Sequence, residues 1–85
     1  FDHVFENIKI VPNPVGDLLS VTGLGDIKVE ALEIRNLLGH LLYRYAPSDT
    51  HLDPVEIDVN ELSSGMYLLR IVCSRGDKSL KWIKK

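Results

Sequence analysis

The sequence predicts an all-β fold: a single Ig-like, Greek-key antiparallel β-sandwich of about seven strands. Short runs of alternating apolar and polar residues recur at intervals of about ten residues, with Gly, Pro, Asn and Asp between them. No window of helical length keeps apolar residues at i, i+3, i+4 and i+7 without a turn residue breaking the stripe. The chain of 85 residues supports one domain. A domain of that size buries only about 60–65% of the surface its unfolded chain exposes, so its core must be efficient.

Phe1 to Asn7 reads as a linker or leading segment. Ile8 to Val11 is a first strand, stopped by Pro12-Asn13-Pro14. Each proline lacks a ladder donor and holds its predecessor extended, which puts this segment at a sheet edge. Gly16 and Asp17 complete a turn into a second strand, Leu18 to Thr22, with Leu19 and Val21 toward the core. Gly23-Leu24-Gly25-Asp26 turns the chain again. Val29 to Arg35 is a third strand, Leu32 and Ile34 inward, Glu33 and Arg35 outward. Asn36-Leu37-Leu38-Gly39 fits a tight hairpin, since Asn and Gly tolerate positive φ, and His40 to Tyr45 returns as the fourth strand.

Ala46 to Pro54, rich in Pro, Ser, Asp and Thr, reads as a loop. Val55, Ile57 and Val59 alternate with Glu56, Asp58 and Asn60 in a fifth strand with one wet face. Gly65 to Cys73 is the longest apolar stretch and the expected central strand. Arg75-Gly76-Asp77 turns into a last strand, Lys78 to Lys84, with Leu80 and Trp82 on one face and Lys81 and Ile83 on the other. Before the central strand stands Leu62-Ser63-Ser64-Gly65-Met66-Tyr67. In Greek-key sandwiches a tyrosine at this point hydrogen-bonds back to the backbone upstream and pins the arch between the sheets. Leu62 is placed to plug the core and Gly65 to allow the corner.

Composition narrows the function classes. Apolar residues make up 45% and charged residues 26%, enough for a core and a wet surface. No run of 18 apolar residues encodes a transmembrane helix. The chain opens at Phe1 with no charged-then-apolar leader, and so reads as a fragment or a processed piece of something larger. The net charge is −2, yet Arg75 to Lys85 holds five bases and one acid, and Asp49 to Glu61 holds five acids and no base. A globally acidic chain argues against nucleic acid.

Catalytic and metal-binding patterns are missing from the sequence. Cys73 is the single cysteine, set among apolar residues, and reads as a small core side chain. His3, His40 and His51 lie far apart, so no metal site is expected. Ser20, Ser63, Ser64 and His51 fit no nucleophile elbow. Gly23-Leu24-Gly25 lacks the third glycine and following helix of a phosphate cradle. The acids Asp49, Asp53, Glu56, Asp58 and Glu61 do not follow a calcium loop. The reading is of a domain with no catalytic residue and no cofactor.

The ordered segments resemble the type A C-terminal sorting domain of the type IX (Por) secretion system of Bacteroidetes. Pro12-Asn13-Pro14 precedes Asp17, Leu19 and Val21; Ile34-Arg35-Asn36-Leu37-Leu38-Gly39 and His40-Leu41-Leu42 follow. Ile57-Asp58-Val59 leads to Leu62-Ser63-Ser64-Gly65-Met66-Tyr67, and Lys81-Trp82-Ile83-Lys84-Lys85 closes the series. The likeness covers Ile8 to Lys85, leaving residues 1–7 as the linker. Arg35 departs from it, standing where members often carry an aromatic.

The resemblance implies a delivery tag for a covalently linked N-terminal cargo. The tag folds in the periplasm, is recognised by the outer-membrane machinery, and is removed at the cell surface by a sortase of cysteine-protease type. The expected recognition residues are Gly65, Tyr67, Lys81, Ile83, Lys84 and Lys85, and the motif residues with structural roles are Pro12, Asn13, Pro14, Asn36, Gly39 and Leu62. An exposed edge strand also offers pairing with a second copy in a homodimer, or with the translocon by strand addition. The competing reading is a fibronectin-like or carbohydrate-binding sandwich acting as spacer or adhesin, which would need an exposed aromatic platform drawn from Phe1, Phe5, Tyr43 and Tyr45.

Overall fold

The alternating runs form strands wherever one side of the run has a second sheet to cover it. In the computed structural model, which describes residues 7–25, 27–46, 54–74 and 76–85, seven strands follow in order. They are β1 (Lys9–Val11), β2 (Leu18–Thr22), β3 (Val29–Arg35), β4 (Leu41–Tyr45), β5 (Val55–Asp58), β6 (Gly65–Cys73) and β7 (Gly76–Lys84). One sheet has the order β1-β2-β5 and the other β4-β3-β6-β7, and every strand pair is antiparallel. The predicted sandwich is the observed one. Of the predicted loop Ala46 to Pro54, residues 47–53 lie outside the described residues, as do residues 1–6 of the leading segment.

Burial follows the two-residue period of each strand. Leu19 and Val21 of β2 and Val55 and Ile57 of β5 face Leu32 and Ile34 of β3, and Tyr67, Leu69, Ile71 and Cys73 of β6. Each fully buried Leu, Ile or Val side chain stabilises the fold by about 1.5–3 kcal/mol relative to exposure. β6 lies between β3 and β7, as its apolar run predicts, and pairs with β7 in unbroken register from Gly65↔Lys84 to Cys73↔Gly76. β7 therefore begins at Gly76, two residues earlier than the turn chemistry of Arg75-Gly76-Asp77 suggests.

Two core residues come from segments that read as turns. Val15 is fully buried and bridges Lys84 in parallel, its N–H donating to Ile83 O at 2.7 Å and its carbonyl accepting from Lys85 N–H at 2.9 Å. Leu24 is buried between Gly23 and Gly25, and Val59 seals the end of β5. Gly23 makes this closure possible. Its φ is +80°, and a Cβ there would stand 1.8 Å from the Asn7 carbonyl oxygen, so only glycine fits.

Glu33 departs from its expected wet position. It is on the outer face of β3 but only 6% exposed, under a cover of arginines. Arg35 Nη2 stands 2.9 Å from its carboxylate, Arg70 Nη1 3.1 Å and Arg44 Nε 3.4 Å, while Arg70 also pairs with Asp77. Burial pushes the Glu33 carboxyl pKa up, but the hydrogen bonds from Arg35 and Arg70 and their charges outweigh it and hold it below its ordinary value. A depressed folded-state pKa gives stability that is present above the unfolded value of about 4.3 and lost as pH falls through the folded one. Glu33→Gln is therefore expected to lower stability near neutral pH by about 1.5–3 kcal/mol. Urea unfolding of both proteins below pH 4.3 should show the gap closing as the wild-type carboxyl protonates.

Candidate recognition surface

The corner before β6 sets the geometry of the whole β6–β7 end. Val59 N–H donates to Asp17 O at 2.8 Å and Leu62 N–H to Val59 O at 3.0 Å, so the chain turns compactly out of β5. Leu62 is half-buried against the core, the plug its position predicts. Gly65 takes φ +154°, a conformation side-chain-bearing residues rarely adopt, with open space around it. The Tyr67 hydroxyl then donates to Ser63 O at 2.7 Å and lies 3.3 Å from Ser63 Oγ. That hydrogen bond is the tyrosine corner. The Tyr67 ring stacks on Trp82 of β7, with centroids 5.1 Å apart and planes inclined by 28°.

Through this stack the corner fixes which side chains of β7 face outward. Trp82 points in and is 3% exposed, so its neighbours Lys81 and Ile83 point out, Ile83 beside Met66 across the ladder. Ile83 is 44% exposed and Met66 43%, and together they form an apolar step next to exposed Lys81. Lys85 is exposed too, its stem beside Gly16.

Lys84 is not part of that surface. It was expected with Lys81 and Lys85, yet strand alternation turns it inward with Trp82, to 7% exposure, and its Nζ donates to Lys85 O at 3.3 Å. Since Val15 clamps the backbone on either side of it, Lys84 belongs to the closure of the sandwich. The structure thus gathers Lys81, Ile83 and Lys85 on one exposed end, with Tyr67 and Gly65 supporting it from beneath. Met66 joins them, although its sequence position gave only a strand residue.

The remaining motif residues are structural and lie elsewhere on the fold. Pro12, Asn13 and Pro14 are exposed bends after β1, and both Val11–Pro12 and Asn13–Pro14 are cis. Asn36 holds the β3–β4 hairpin: its Oδ1 accepts from Leu38 N–H at 2.9 Å and His40 N–H at 3.0 Å. Gly39 completes it at φ +88°, its carbonyl accepting from Arg35 Nη1 at 2.6 Å. Tyr45 packs against the core, and Tyr43 alone of the described tyrosines stands clear of it; Phe1 and Phe5 lie outside the described residues. Among the described residues no aromatic platform is assembled.

Residues 9–85 match the family model described as secretion system C-terminal sorting domain. The chain belongs to this family. Among solved structures it resembles PorZ, described as an essential bacterial surface component of the type IX secretion system of Porphyromonas gingivalis. That likeness has a TM-score of 0.71 at 19% identity and covers 96% of this chain but 12% of PorZ, so it supports the fold alone. No curated protein matches the sequence. The domain is thus a β-sandwich sorting signal of an exported protein, and a sorting signal is not itself a catalyst.

Within the sorting domain the tyrosine corner is a stability element with a definite size. Tyr67→Phe should cost about 1 kcal/mol, the net worth of one hydrogen bond. Tyr67→Ala, which also removes the ring from Trp82, should cost about 3–5 kcal/mol. Chemical denaturation of the three proteins measures both differences.

Proposed function

We infer that the sorting domain directs a covalently attached N-terminal cargo through the type IX outer-membrane machinery, presenting the β7 end as the surface that is recognised. The observation that carries this is the separation of roles along β7. Its inward residues Leu80, Trp82 and Lys84 close the fold, while its outward residues Lys81 and Ile83, with Lys85, are exposed to water. A tag shared by unrelated cargoes needs such a surface, one whose shape depends on the tag alone. Family membership supplies the delivery role. Two lysines and an exposed isoleucine suit a partner that offers acidic groups around an apolar contact.

In this reading the domain folds in the periplasm and is the substrate, not the agent, of removal by a surface sortase. The cut falls in or before residues 1–7, upstream of the sandwich, so removal leaves the β7 end intact.

The test is an export assay with the 85 residues placed behind a signal peptide and a fluorescent reporter. Fluorescence should reach the surface or medium only in a strain with a working type IX system. Lys81→Glu combined with Lys85→Glu should cut export several-fold while leaving the melting temperature unchanged, because both side chains are exposed. Removing the last two residues is a poorer test, since Lys84 is buried and Lys85 bonds to Val15. Equal export in both strains, with the domain folded, would sink the sorting role for this end.

A further inference from the structure

β1 and β7 are edge strands of different sheets, and they face one another across a groove of about 300 Å³. Its walls are Ile8, Ile10 and Val11 on one side and Leu80 and Trp82 on the other. Among the described residues, Lys9, Lys81 and Asn13 are its polar lining and no acid lines it.

The β7 side of this groove is an open ladder. Val15 uses the carbonyl of Ile83 and the N–H of Lys85, so the odd-numbered residues of β7 turn their backbone groups to the free edge. The even-numbered ones turn theirs to β6. Above Val15 the chain leaves β7 for the other sheet, through two prolines that have no N–H to give. The N–H and C=O groups of Ser79 and Lys81 therefore face the groove, and among the described residues no strand lies beside them. Trp82, which lines the groove, carries one more unmet group: its Nε1 is buried and has no hydrogen-bond partner among the described residues. Buried polar atoms are rarely left so.

We propose that this groove is a binding site for an extended peptide segment of a partner, alternating apolar and acidic residues, which adds as a strand to the free edge of β7. The backbone of the added strand pairs with Ser79 and Lys81. Its period of two sends alternate side chains inward over Ile10, Leu80 and Trp82 and the others outward beside Lys81 and Lys9. Apolar walls with Lys9 and Lys81 as the charged rim among the described residues select that alternation and that sign. A slight turn of the indole toward the groove gives Nε1 a peptide carbonyl, and the turn breaks no existing hydrogen bond. The site goes beyond the export reading, since it specifies a ligand that the purified domain should bind on its own.

The probe is a short capped peptide alternating valine or isoleucine with glutamate, titrated into the 85-residue chain. Trp82 is the only tryptophan, so its emission reports occupancy of the groove directly. A label on the peptide gives anisotropy as a second readout that does not depend on the indole. Saturable binding with a change in Trp82 emission is expected, weakening as salt is raised. A peptide with lysine in place of glutamate should bind far less.

Lys81→Pro removes one edge donor and none of the β6–β7 bonds, a substitution edge strands tolerate, and should weaken binding about tenfold at unchanged melting temperature. Where proline disturbs the strand, Lys9→Glu with Lys81→Glu, both at exposed positions, should reverse the preference between the two peptides. Equal binding by Lys81→Pro that is still folded would overturn strand addition, and no binding of the acidic peptide would overturn the site. A monomer–dimer equilibrium abolished by Lys81→Pro would overturn the peptide assignment in favour of a second copy. All of these are measured on the purified chain, so their failure leaves the export assay to stand or fall separately.

Discussion

The stack of Tyr67 on Trp82, held by the hydroxyl of Tyr67 on Ser63 O, is the contact on which the rest of the molecule depends. The two rings belong to the nine-residue pairing of β6 with β7, and they sit where the chain has just crossed from the other sheet. A crossing of this kind leaves backbone groups of the arch at risk of burial without partners. The tyrosine meets one of them and at the same time places its ring against the core. Because strands have a period of two, fixing Trp82 inward fixes Lys81 and Ile83 outward and Lys84 inward. A one-residue slip would exchange these sets, exposing Trp82 and burying Lys81. Core packing and surface presentation on β7 are thus one constraint seen from its two faces.

The same economy governs the edges. A sandwich of three and four strands leaves β1, β5, β4 and β7 with an unpaired side, and exposed edges invite association. β7 is protected at one end by the parallel bridge from Val15. Along the rest of it a lysine stands at the free edge, and charged edges resist self-pairing while leaving room for a partner of opposite sign. On the outer face of its sheet the cluster of Glu33 with Arg35, Arg44 and Arg70 ties β3, β4 and β6 together by side chains as well as by the ladder. Arg70 reaches on to Asp77 of β7, so all four strands share one charge network. Arg35 is a member of this network and also caps the hairpin at Gly39.

Strand identity was legible in the sequence because burial in a sandwich imposes a short period that seven or eight residues suffice to display. β3 and β6 begin and end where alternation and turn residues place them. The tyrosine corner was legible for a different reason, since its residues are local and their spacing is set by one arch. Val15 and Leu24 were not, because a single apolar residue between turn residues has no period to reveal it. Lys84 was misread by residue type: its charge argues for water, whereas its place in the alternation argues for the interior, and the alternation prevailed. Glu33 shows the converse. Its face was assigned correctly, but its burial depends on arginines brought together from three strands, and no local pattern carries that.

What distinguishes this sandwich from a spacer of the same shape is therefore the asymmetry of its two edges and ends rather than its core. The end that carries Asp58, Asn60 and Glu61 with Tyr43 and Leu62 around a second cleft is acidic, and it lies at the β4 and β5 edges. The β7 edge is basic and lined by apolar side chains. A spacer gains nothing from such polarity. A delivery tag does, because it must be engaged in one orientation whatever cargo precedes it, and opposed charges orient an approach before contact is made. The buried Lys84 sharpens this division, since it belongs to the closure of the fold while Lys81, Ile83 and Lys85 remain exposed. In the proposed reading, orientation is thus written into the strand that also completes the core.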